Sequence, residues 1–182
     1  MSQRNLDGVT LECVEGDITR QSDIQAIVNA ANAELRSGGG VAGAIHRAAG
    51  PELDQACRPL APIRPGQAVI TPAYQLPNDW VVHCLGPVYG VDEPSDQLLA
   101  DCYRNALQVA EHHRISSLAF PALSTGAFGY PMQAAAQVAF KAISEAAPSL
   151  SSVQHIRFVL FKEADVRVHE AAFGLRGELD AD

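Results

Sequence analysis

The chain has 182 residues, of which 47% are hydrophobic and 19% charged, a composition typical of globular proteins and a length sufficient for one domain with a substantial core. Thirteen basic against 21 acidic side chains leave a net charge of −8, which argues against non-specific binding to nucleic acid or to anionic lipid; an anion is instead expected to be held by main-chain amides and helix ends. No apolar run approaches membrane-spanning length, the first residues lack the apolar core of a signal peptide, and the scattered cysteines Cys13, Cys57, Cys84 and Cys102 have no paired metal-ligand spacing, so a reduced, cytoplasmic, metal-free protein is expected.

In chain order, residues 1–8 read as a flexible lead-in, 9–173 as one domain, and 174–182 as an acidic, mobile tail. Val9 to Val14 alternates apolar and polar residues as a half-buried strand does, and stops at Gly16-Asp17. Ala26 to Ala30 is a short apolar strand buried on both faces, and Val41 to Ala49 suits a helix ended by Gly50, with Pro51 opening a second short helix. Gln67 to Tyr74 and Trp80 to Leu85 read as strands close enough in sequence to pair antiparallel. Ser95 to His113 carries the clearest helical stripe, through Leu98, Cys102, Ala106 and Ala110. Ser117 to Ala122 is a further buried strand, Pro131 the first position of a helix with its face at Met132, Ala136, Phe140, Ile143 and Ala147, His155 to Phe161 the last strand and Ala164 to Phe173 the last helix. Strands alternating with helices predict an α/β fold with a mixed, largely parallel sheet.

Two glycine-bearing loops stand between a buried strand and a helix start: Gly38-Gly39-Gly40-Val41-Ala42-Gly43 and Ser124-Thr125-Gly126-Ala127-Phe128-Gly129. At one sheet edge they would form opposing amide cradles, one for each phosphate of a diphosphate. Gly38, Gly40 and Gly43 also satisfy the dinucleotide fingerprint. A Rossmann loop, however, follows its strand directly and is succeeded about 20 residues on by an acid at a strand end, and nearby Asp54 lies in a helical segment. Ser124 approaches a nucleophile-elbow pattern but lacks its first glycine, and His46 and His83 have no acid partner identifiable from spacing, so Ser124 reads as a phosphate hydrogen-bond donor and His83 as a core histidine. Asp17 can cap a turn or accept from an exocyclic amine such as that of adenine; Phe161 can serve as core or as a stacking face for a base.

Together, Gly16-Asp17-Ile18-Thr19, Ala26 to Asn32, Gly38 to Gly50, Val81 to Pro87 and Ala119 to Pro131 resemble the macrodomain family, especially its small bacterial ADP-ribose-processing members, over nearly the whole chain. The resemblance implies a three-layer α/β/α sandwich with a cleft at the carboxyl ends of the strands. It implies that Asp17, with the Ile18 amide beside it, reads adenine, that Phe161 stacks on the ring, and that Asn32 binds the distal ribose while Asn29 braces the loop. Gly39, Gly40 and Val41 would supply amides to the diphosphate and distal ribose, and Ser124, Thr125, Gly126, Ala127 and Phe128 would enclose the diphosphate from the other side. Asn32 and Gly40 are the candidate catalytic residues. The hydrolytic branch commonly carries Asp after Gly-Gly-Gly-Val; here that position is Ala42, as in some other macrodomains, and a methyl group cannot act as a base. The implied activity is hydrolysis of ester-linked ADP-ribose, on mono-ADP-ribosylated Asp or Glu or on O-acetyl-ADP-ribose, with no cofactor. A non-catalytic ADP-ribose reader is the alternative, and phosphatase action on ADP-ribose phosphate would use the same pocket.

Overall fold

A computed structural model of the protein describes residues 2–175. In chain order the strands are β1 (Ser2–Leu6), β2 (Val9–Glu15), β3 (Ala26–Ala30), β4 (Ala68–Pro72), β5 (Trp80–Cys84), β6 (Ser117–Phe120) and β7 (His155–Leu160). The helices are α1 (Gly40–Ala49), α2 (Pro51–Cys57), α3 (Ser95–His112), α4 (Met132–Ala146) and α5 (Glu163–Phe173). One sheet runs in the order β1-β2-β7-β6-β3-β5-β4; its five inner strands are parallel, and β1 and β4 are antiparallel edges.

Strand alternation sorts the core into two layers. Val28, Val82, Leu118, Phe120 and Phe158 point to one face, where they meet Leu99 and Tyr103 of α3, Ala139 and Ile143 of α4, and Phe173 of α5. Their neighbours Ile27, Val81, Ala119 and Val159 point to the other face, against Ile45 and Ala49 of α1 and Leu53 and Cys57 of α2. The result is the expected three-layer α/β/α sandwich. Among the described residues, no helix is long and apolar enough to cross a membrane.

The N-terminal segment differs from expectation. Ser2–Leu6 is a strand, paired with β2 in a register that sets Leu6 opposite Val9. The two-residue connection Asp7-Gly8 has positive φ at both positions, 51° and 92°, the geometry that closes a tight hairpin. Arg4 Nη1 then donates to the Phe173 carbonyl at 3.0 Å, and the Ser2 hydroxyl meets Glu170. At the other end, Gly174 caps α5 in the left-handed conformation and Leu175 is buried, so these two residues belong to the folded unit; the rest of the tail, 176–182, lies outside the described residues.

Two strands also stop earlier than their apolar runs. β6 ends at Phe120 and β7 at Leu160, which frees Pro121 to Leu123 and Phe161 from the ladder at the sheet's carboxyl edge. Pro131 precedes α4 as its N-cap rather than opening it.

Candidate functional site

The chain leaves β3 toward α1 on one face of the sheet and leaves the adjacent β6 toward α4 on the other. Where neighbouring parallel strands send their helices to opposite faces, a crevice opens beyond their carboxyl ends. A cleft of about 540 Å³ lies there, within the range of small-molecule sites, about 300–1,000 Å³. Both glycine loops line it: Gly38 to Ala42 from one side and Ser124 to Phe128 from the other. Among the described residues, no Lys or Arg lines it.

Main-chain donors face this space. Gly39 caps α1 without a side-chain hydrogen bond, and the first turn of α1 holds no acid; α4, which starts beside the second loop, is likewise free of acid in its first turn. The first N–H groups of a helix have no intrahelical acceptor and carry its positive dipole end. In the second loop, the N–H groups of Gly126, Ala127 and Phe128 have no acceptor among the described residues, while Tyr130 N–H to Ser124 O (2.8 Å) and Gly129 N–H to Gly126 O (3.0 Å) hold its curvature. Close approach sets two further glycines. A Cβ at Gly43 would collide with the Gly38 carbonyl oxygen, and one at Gly86 with the Ser124 hydroxyl. Ser124 itself is held at φ 68°, a left-handed conformation costly for a residue with a Cβ, and its buried Oγ has no partner among the described residues.

Eleven of the thirteen candidate binding residues line the cleft: Ile18, Asn32, Gly39, Gly40, Val41, Ser124, Thr125, Gly126, Ala127, Phe128 and Phe161. Asn32 is partly spoken for, since its Nδ2 donates to Arg36 O at 2.8 Å and its Oδ1 accepts from Arg36 N–H at 2.9 Å. That clasp fixes the amide and leaves one N–H and one oxygen lone pair for a sugar hydroxyl. Phe161 is 63% exposed at the rim, which leaves its ring open to a ligand in the cleft.

Asp17 and Asn29 stand outside the lining. Asp17 Oδ1 accepts from Thr19 Oγ1 (2.7 Å) and Thr19 N–H (2.9 Å), and Arg20 stands 3.8 Å from Oδ2. The Thr19 hydroxyl and amide, with a smaller effect of Arg20, hold this carboxyl below the usual range. Asp17 therefore shapes a turn and keeps Oδ2 as an acceptor. The expectation for Asn29 is corrected: it is buried at 1% exposure and braces no loop. Strand alternation turns it toward α1 and α2, where Nδ2 donates to His83 Nδ1 at 3.1 Å. His83 Nε2 then serves Thr71 Oγ1 at 2.9 Å, and burial, with nearby His46, depresses the His83 pKa to about 3. That neutral, enclosed ring is not placed to act as a base for Ser124.

The cleft is also lined by residues to which sequence reasoning assigned no binding role, notably Gly86, Met132 and Asp165. Asp165 had one signal, its place in the first turn of the helix that follows the last strand. Gly86 had none, because its role is a contact with a loop 38 residues away. All four cysteines are free and buried, with the Cys57 thiol pushed up to about 11 by burial and, less, by Asp54.

A family model described as Macro domain matches residues 28–139. An O-acetyl-ADP-ribose deacetylase of Cronobacter sakazakii is 46% identical over 169 residues, which cover 90% of this chain and 93% of that protein. A macro domain-containing protein of Chlorobaculum tepidum is 43% identical over 167 residues, covering 91% and 96%. Among solved structures, an Oceanobacillus iheyensis macrodomain with ADP superposes with a TM-score of 0.90 at 39% identity over 94% of each chain. A Trypanosoma brucei macrodomain in complex with ADP-ribose gives 0.82 at 33% identity, over 88% of this chain and 68% of that one.

Proposed function

Because the chain belongs to the Macro domain family, we propose that it binds ADP-ribose along the carboxyl edge of its sheet and hydrolyses ester-linked ADP-ribose. The observation that carries this is the convergence of two acid-free helix starts and two glycine loops on one cleft without Lys or Arg. Such a site matches a diphosphate, whose charge is met by oriented N–H dipoles. Adenine is assigned to the end where Asp17, the Ile18 amide and Phe161 gather, and the distal ribose to Asn32, Gly40 and Phe128. A relative named O-acetyl-ADP-ribose deacetylase supports an acyl ester on that ribose as the substrate. The same linkage joins ADP-ribose to an Asp or Glu of a modified protein. The functional unit is a single domain, and its four free, buried thiols suit the reducing cytoplasm.

In this mechanism Asn32 orients the ribose, water adds to the acyl carbon, loop amides offset the developing oxyanion, and the ribose oxygen leaves with the proton. Ala42 lines the cleft and offers only a methyl group, so the water is held by a diphosphate oxygen of the substrate and by the glycine loop. Ala42 is also the observation that favours the second reading, a non-catalytic ADP-ribose reader.

Calorimetry with ADP-ribose, AMP and NAD tests binding, and release of ADP-ribose from O-acetyl-ADP-ribose and from a glutamate-modified protein tests turnover. Binding without release over hours at high enzyme concentration would select the reader. If the missing carboxylate limits the rate, Ala42→Asp raises kcat roughly tenfold, less than the about 100-fold of a fully aligned general base. An unchanged kcat would assign water activation to the substrate.

A further inference from the structure

Behind the base end of the cleft lies a buried polar chain that the proposed function does not use. Arg157, on β7, is 9% exposed and spreads its guanidinium over three partners. Nε donates to Glu12 Oε1 at 2.5 Å, Nη2 to Asp23 Oδ2 at 2.7 Å, and Nη1 to Asp23 Oδ1 at 2.8 Å and to Gln21 Oε1 at 2.9 Å. Gln21, itself 8% exposed, turns its other end to Asp17 and donates from Nε2 to the Asp17 carbonyl at 2.8 Å. A second clamp comes from Asn78, whose Nδ2 donates to the Gln21 and Ile24 carbonyls at 2.8 and 2.7 Å.

These bonds join elements that no local pattern connects. The segment 16–24 leaves β2 carrying Asp17 and Ile18, and is tied to β7 where Gly16 N–H donates to Leu160 O at 2.9 Å. Phe161 directly follows Leu160, the last residue of β7, and Arg157 lies on that strand three residues before its end. The strand that presents the aromatic therefore also presents the guanidinium that grips the loop bearing the carboxylate. A planar fork with several fixed donors can hold such a loop in one position, which a point-charged ammonium cannot.

We propose that Arg157 and Gln21 are positioning residues that hold Asp17 and the Ile18 amide at a fixed offset from Phe161 and so make the site selective for adenine over purines with a 6-carbonyl. This rests on the assignment of the adenine end under Proposed function. An adenine presents an amine to the carboxylate and a ring acceptor to the amide. Hypoxanthine presents a carbonyl and a ring N–H at the same places, so both contacts turn repulsive. The discrimination depends on the two protein groups being held still. A loop free to shift would satisfy either base.

The test compares ADP-ribose with its hypoxanthine analogue by calorimetry on the native protein, Gln21→Leu and Gln21→Glu. Gln21→Leu removes both ends of the relay while leaving Arg157 paired with Glu12 and Asp23; Gln21→Glu keeps an acceptor for Arg157 and removes the donor to Asp17. The native protein is expected to prefer ADP-ribose at least tenfold. In both variants that ratio is expected to fall to within about threefold, mostly through weaker ADP-ribose binding, with KM for an ester substrate raised and kcat unchanged. Arg157→Lys is expected to lower the ratio as well, while retaining a countercharge for Glu12. If both ligands weaken equally and the ratio survives, the relay is refuted and the residues are merely structural. If the native protein binds neither ligand, the proposed function itself is refuted.

Discussion

Helices α1 and α4 differ from α2, α3 and α5 in their first turns. The latter three carry acids there: Glu52 and Asp54 in α2, Asp96 in α3, Glu163 and Asp165 in α5. The former two, which open on the cleft from opposite faces of the sheet, carry none. An acid at that position stabilises a helix by about 0.3–1 kcal/mol, because it answers the positive end of the dipole. Its absence from α1 and α4, the two helices that follow the glycine loops, leaves that end to be answered from outside the chain. The base end keeps an acid, Asp165 on α5, where an amine or hydroxyl rather than a phosphate is expected.

The strongest way to break this contrast is to make α4 resemble the other helices. Met132→Glu places a carboxylate in its first turn, at a position that lines the cleft. Like charges at such range, with intermediate screening, cost a few kcal/mol at most. ADP-ribose affinity is expected to fall about 10- to 100-fold, whereas the melting temperature holds or rises by about 1–2 °C. An affinity within threefold of the native value would show that the helix end does not serve the anion.

Acid sharpens the contrast between the two helices themselves. α4 buries Ala135, Ala136, Ala139, Ala142 and Ile143, whereas α1 buries a histidine, His46, beside Ile45 and Ala49, near enough to the buried His83 to influence it. Burial lowers the pKa of both histidines, and that of His169 on the buried face of α5. A histidine kept neutral in the folded state takes up its proton first in the unfolded state. Its contribution to stability is therefore complete above the ordinary value of 6.5 and drains as pH falls toward the depressed value, about 3 for His83. Hydrogen exchange, corrected for intrinsic rate, is expected to accelerate in α1 before α4 as pH is lowered from 6.5 to 4.5. Equal acceleration in both would remove the histidines from the account.

The smallest expected effect concerns the loop before α4. Ser124→Gly relieves a left-handed residue, a gain of about 1 kcal/mol, and deletes a buried hydroxyl that has no partner among the described residues. Thermal melts should show equal or greater stability, with ADP-ribose binding weakened about threefold, as expected for one lost hydrogen bond. Tighter binding would mean that the hydroxyl obstructs the ligand.

The inner strands and all five helices were legible from apolar runs, helical stripes and the Gly and Pro residues that bound them: the short run of β3 sends Ile27 and Val28 to opposite layers, and the α3 residues Leu99, Cys102, Tyr103 and Ala106 line one face. β1 was not, because Gln3, Arg4 and Asn5 are exposed and give no apolar alternation; the signal present was Asp7-Gly8, a hairpin dipeptide. The glycine loops were visible as composition, and the cleft between them followed from the order of strands and helices. Asn29 was misassigned because its neighbours are apolar on both sides, so only the pairing of β3 with β5 reveals that it meets His83. The Arg157 relay was invisible for the same reason, since its partners at 12, 21 and 23 are far away in sequence.

The hairpin that adds β1 has an effect on behaviour in concentrated solution. An unpaired sheet rim is a template onto which another chain can zip, and rims of charged or polar residues discourage it. β1 covers β2, with its buried Val9, Leu11 and Cys13, and presents Gln3, Arg4 and Asn5 outward, with Arg4 anchored to the last turn of α5. Deleting the hairpin would therefore uncover a sticky border and promote aggregation before it disturbed any residue of the cleft.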